Sequence, residues 1–131
     1  MLDIRKELIA MLKQNTGLPV YFMQPPVNVA TTMPLIVLEE VNNHDHFYSY
    51  NEETDYEIEI ANVTYEVSVY GLEFEDIVVF SGVIDKAMKR HGFRKSWTSP
   101  DNYIEPLYCK TMRYTCKVQL NKDTNEYYIY K

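Results

Sequence analysis

His44-Asp45-His46 is the one stretch of this chain whose residue types and spacing suggest metal chemistry, because two histidines two positions apart share a face of an extended segment. A stable site needs three or four ligands, and no cysteine or further histidine stands at ligand spacing beside them. Nucleophilic catalysis has no better footing: Gly-x-Ser-x-Gly is absent, and Ser81-Gly82 falls inside a helical pattern. The four glycines, Gly17, Gly71, Gly82 and Gly92, are too scattered to build a phosphate-cradling loop. The expectation is a protein without catalytic residues, metal or cofactor, and hence not an enzyme.

Charge is the more informative property. Lys86, Lys89, Arg90, Arg94 and Lys95 form a basic face with His91 and Trp97 nearby, a pattern that suits phosphate contacts and equally the cations favoured at a helix C-terminus. The net charge of −6 opposes tight binding to a polyanion. Between Glu39 and Asp76 there are twelve Asp or Glu and no Lys or Arg, whereas from Ile77 onward ten Lys or Arg face five acids. Such a division serves solubility, or lets the acidic face of one subunit meet the basic face of another, or keeps an acidic surface near DNA without adhesion. Twelve tyrosines fit half-buried strands and protein interfaces alike.

The elements that must position these residues follow from periodicity. Asp3 is placed to cap a helix over Ile4 to Asn15, with Ile4, Leu8, Met11 and Leu12 on one stripe and Gly17 as its stop. A short strand over Pro19 to Met23 precedes a proline-rich loop, and Leu35 to Val41 reads as a central strand. The segment Asn42 to Asp55 lacks apolar periodicity and reads as a long connection. Its residues His44, Asp45, His46, Phe47, Tyr48, Tyr50, Glu52, Glu53 and Asp55 are candidates for a protein interface, since exposed aromatic rings invite a covering partner. Tyr56 to Tyr70 alternates as a strand whose apolar parity switches at Ile60-Ala61, the mark of a bulge or of a change of packing surface. A strand of that length outruns a compact body, so a projecting hairpin or a sharp bend is expected.

Ile77, Phe80, Ser81, Ile84, Ala87 and Met88 form the stripe of a second helix between Gly71 and His91, with Glu73, Glu75 and Asp76 in its first turn. Strands over Phe93 to Thr98, Tyr108 to Leu120 and Glu126 to Tyr130 complete the chain. Cys109 and Cys116 lie at an odd separation on one strand, so they point to opposite faces and stay free thiols. The fold class is α+β: one domain over residues 1–131, a mostly antiparallel sheet with two helices packed on one face, and a long protruding hairpin or loop. No apolar run is long enough to span a membrane, and the amphipathic start leads us to expect synthesis and retention in the cytoplasm.

The order of these pieces resembles a known family. Leu18-Pro19-Val20-Tyr21 with its proline-rich loop, Met33-Pro34-Leu35-Ile36-Val37, the long polar hairpin, Val67-Ser68-Val69-Tyr70-Gly71, the amphipathic helix and the last hairpin from Met112-Arg113-Tyr114-Thr115 to Tyr130 are similar to the tail-completion, or head-tail joining, proteins of long-tailed bacteriophages, which themselves resemble tail terminators. The resemblance implies a virion subunit, made in the host cytoplasm, that joins copies of itself into a ring, commonly a hexamer. Its implied partners are the tail-tube protein and a head-connector or head-completion protein, with DNA passing nearby without specific binding and no membrane involved. The alternative is a small non-enzymatic binding or regulatory module.

Overall fold

Each helix is held by signals visible in its own residues. In a computed structural model that describes residues 4–23, 33–51, 56–121 and 126–129, with side chains for all of these except 42–61 and those from 120 on, α1 spans Arg5–Thr16 and α2 spans Phe74–Arg90. Gly17 closes α1 at φ 71°, a left-handed conformation that glycine adopts without strain, and its N–H donates to Lys13 O. Ile4 stands at the cap position of α1 without a side-chain cap, and Asp3 lies outside the described residues. Glu73 and Asp76 form a reciprocal capping box at the start of α2. At its end Gly92 N–H donates to Lys89 O and Phe93 N–H to Met88 O, a Schellman arrangement that satisfies the last carbonyls and turns Phe93 into the core.

Among the described residues seven strands form one sheet: β1 Val20–Phe22, β2 Leu35–Asn51, β3 Tyr56–Gly71, β4 Arg94–Thr98, β5 Asn102–Ile104, β6 Leu107–Asn121 and β7 Glu126–Ile129. The order is β1-β2-β3-β6, and the outer edge of β6 is shared in succession by β5, β4 and β7. β1 and β2 run parallel, and the other pairings among the described residues are antiparallel. Beyond the expected elements there is one additional strand, β5, three residues long.

Alternation sorts the sheet into two faces. Val63, Tyr65, Val67 and Val69 are fully buried, opposite Cys116, Tyr114 and Met112 on one side and Leu38 and Ile36 on the other. They share one cluster with Ile4, Leu8 and Leu12 from α1 and Ile77, Ile84 and Met88 from α2, so both helices cover this face. The opposite face carries polar cross-strand pairs: the Thr64 and Thr115 hydroxyls lie 3.0 Å apart, those of Ser68 and Thr111 2.9 Å apart, and Arg113 Nε donates to Glu66 at 3.2 Å. Cys109 and Cys116 fall on opposite faces, registered against Tyr70 and Val63, and both are free.

Gly71 is where β3 gives way to α2. A Cβ there would meet the Cβ of Asp76 at 2.7 Å, so only glycine lets the capping residue sit so close to the strand end.

The segment expected as a long connection is strand. β2 continues through Asn51, and its pairing with β3 runs from Leu35↔Tyr70 to Asn51↔Tyr56. Backbone pairing with β3 supplies the order that the segment's own pattern does not announce, and residues 52–55, including Glu52, Glu53 and Asp55, lie outside the described residues. The bulge foreseen at Ile60-Ala61 sits across from it: β2 shifts register between Asp45 and Phe47, which face Ala61 and Ile60, while β3 keeps an unbroken register with β6. A second shift falls between Glu40 and Asn42.

Candidate functional site

The basic face is organised around an acid. Asp85, on the C-terminal half of α2, accepts from Lys89 Nζ at 2.8 Å and from the Tyr114 hydroxyl at 2.9 Å, with Lys95 Nζ from β4 at 3.2 Å. Helix, edge strand and central strand therefore converge on one carboxylate. Burial works against its charge, but the hydrogen bonds from Lys89, Tyr114 and Lys95 outweigh burial and hold the carboxyl below the usual aspartate value. Burial, followed by the bond to Asp85, pushes the Tyr114 phenol well above its ordinary value. Lys89 and Lys95 thus serve an internal contact, while Lys86, Arg90 and Arg94 are exposed and form no ion pair among the described residues. Beside them a cleft of about 720 Å³ is lined by Phe93, Arg94, Lys95, Thr115, Cys116 and Lys117 among others.

Asp85→Asn is expected to cost about 1.5 kcal/mol at neutral pH, since bonds to a charged group are lost. The folded carboxyl binds its proton less tightly than the unfolded one. Its contribution is therefore fully present above the ordinary aspartate range and is lost as pH falls through the lowered folded value. Urea titrations of both proteins across acid pH should show the gap closing on that descent; a gap independent of pH would contradict this assignment.

Of the interface candidates, His44, Asp45, His46, Phe47, Tyr48 and Tyr50 lie on the outer half of β2, with His46 at the register shift. The structure does not bring them to the basic face: they occupy the β2–β3 hairpin, whereas Arg94 and Lys95 lie on the far edge beyond β6. Among the described residues no group of three or more His, Cys, Asp or Glu could hold a metal ion. Burial raises both thiols, Cys116 to about 12, which leaves them protonated at neutral pH.

One surface escaped the sequence reading. Phe74 at the start of α2 meets Tyr108 edge-on at 5.8 Å, and Tyr108 meets Tyr103 at 4.7 Å, joining exposed apolar side chains from the helix and from the β5–β6 hairpin. Neither a family model nor a curated protein matches the chain.

Proposed function

We propose that this chain is a non-enzymatic structural subunit of a long-tailed bacteriophage, a tail-completion or tail-terminator protein forming a ring, commonly six-fold, at the head-tail junction. The observation that carries the reading is the β2–β3 hairpin, paired without interruption in chain order from Leu35↔Tyr70 to Asn51↔Tyr56 apart from its two register shifts. Its seventeen-residue strand reaches about 55 Å, against a diameter near ~36 Å for a compact domain of this size. In this reading the outer hairpin projects from the helix-covered body and its tip, with His44, Phe47, Tyr48 and Tyr50, contacts a neighbouring subunit, the tail tube or the head connector. The acids between Glu39 and Asp76 supply a surface past which DNA moves without adhering.

Removing the gene from a phage that carries it should yield filled heads and finished tails that fail to join, with joining restored by the protein supplied in trans. Normal yields of joined particles without the protein would sink the proposal.

A further inference from the structure

The outer edge of β6 is interrupted where unpaired cations gather. Arg94 of β4 is registered against Thr115 and Ile129 of β7 against Val118, so among the described residues nothing stands opposite Cys116 and Lys117 on that edge. The cleft of about 720 Å³ lies at this break and is lined from both faces of the sheet. Tyr114 and Cys116 face the helices, which puts Lys95, registered against Tyr114, on their side with Lys89, its fellow partner on Asp85. Thr115 and Lys117 alternate to the other face, where Arg94 and Asn62 are registered against them. An opening through the edge is what lets four cations from opposite faces line one cavity. Its described lining contains no acid. Asp85 offsets part of the charge of Lys89 and Lys95, and Glu7, the acid that acts on the Cys116 thiol, is held by His91 at 2.8 Å. Arg94 and Lys117 are exposed and form no ion pair among the described residues. Like charges around a concavity concentrate its potential and favour an anion between them.

We propose that this cleft binds a small phosphate-bearing anion, of the class of pyrophosphate and phosphate monoesters, with Arg94 and Lys117 as its charged contacts. A guanidinium fork matches the paired oxygens of a phosphate, a lysine adds a point charge, and the Asn62 amide and Ser96 hydroxyl are uncharged donors among the lining residues. The volume is that of a small-molecule site, and the net charge of −6 opposes a long polyanion more than a compact one. The site is independent of the ring-subunit reading and stands or falls without it.

Isothermal titration calorimetry of the full chain with sodium pyrophosphate, at low and high salt, tests it. One equivalent should bind at low salt with a dissociation constant below about 1 mM, and more weakly as salt rises. Arg94→Gln and Lys117→Gln should each weaken binding about tenfold through the loss of one charge-assisted contact. Both side chains are exposed, so the melting temperature without pyrophosphate should match the wild type, and either variant serves if the other fails to fold. Lys86→Gln, which removes an exposed cation of α2 outside the cleft lining, should bind like the wild type. Neither heat nor a rise in melting temperature at about 10 mM pyrophosphate would overturn the site. So would a cleft variant that binds like the wild type, or a loss for Lys86→Gln equal to that of the cleft variants, which would mean diffuse attraction without a site. A short DNA duplex that bound more tightly than pyrophosphate and lost affinity with the same two substitutions would overturn the small-anion assignment in favour of a nucleic-acid surface.

Discussion

Tyr65→Ala is expected to remove about 4 kcal/mol of stability, the range for truncating a large ring in a closed core. Tyr65 sits at the centre of the sheet with no exposed surface, registered opposite Tyr114, and its ring meets Phe93 edge-on at 6.4 Å. Phe93 is the residue that the Schellman turn delivers from the end of α2, so the cavity opens where helix and sheet are joined. Against a total of about 5 to 15 kcal/mol for a domain, that loss brings the chain close to its unfolding threshold. Urea denaturation should show the midpoint falling sharply with little change in slope. Tyr65→Phe is the control: it keeps the ring in the core and removes only the hydroxyl, which donates to Glu40 at 3.5 Å, so the phenylalanine variant should lose clearly less than the alanine variant. A loss below about 1 kcal/mol for the alanine variant would mean that the centre of the core has been misplaced.

The second large effect is expected in assembly rather than in folding. Replacing residues 46–60 by Asn-Gly joins Asp45 to Ala61, which are paired across the hairpin, through the dipeptide best suited to a two-residue turn. Every buried position described on β2 and β3, the last at Leu38 and the first at Val63, lies outside the replaced segment and is retained. The melting temperature should stay within a few degrees of the wild type. Joining of heads to tails in trans should fall to the level of the gene deletion. A variant that restored joining at normal yield would remove the hairpin from the functional account, and one that unfolded would show that the outer strands are part of the core.

Which parts of this architecture could be read from the residues depends on where each part's order originates. The second helix was legible because Glu73, Asp76 and the stripe through Ile77, Ile84 and Met88 all lie within it, and Gly92 marks its end. The alternation of Met112, Tyr114, Cys116 and Val118 likewise declared a strand with one buried face. The outer half of β2 did not declare itself, because its hydrogen bonds are supplied by a partner strand and the segment from Asn42 to Asn51 has no apolar alternation of its own. β5 is three residues long and begins at the last residue of the turn-rich stretch Ser99 to Asn102, so its pairing with Leu107 to Cys109 is a property of the hairpin rather than of its composition. Asp85 was passed over as one acid among many, since its importance comes from Lys95 and Tyr114, which are distant in sequence.

The apolar end of α2 was hidden for a related reason. The stripe through Ile77, Phe80 and Ile84 leaves Val78 and Val79 on the outer side, where the structure exposes them, but periodicity within the helix does not say which residues of other elements lie beside them. Tyr103 and Ile104, which fall between the turn-rich stretch and the strand that begins near Tyr108, are exposed as well. Recognising such residues as a surface required the neighbouring elements to be in place.

The location of the chain in finished particles decides the functional reading most directly. Electron microscopy of phage encoded with this gene, with the protein labelled near its C-terminus, should show label confined to the head-tail junction in a small, fixed number of copies per particle. Label spread along the tail, or no label on purified particles that are infectious, would contradict a ring subunit at that junction.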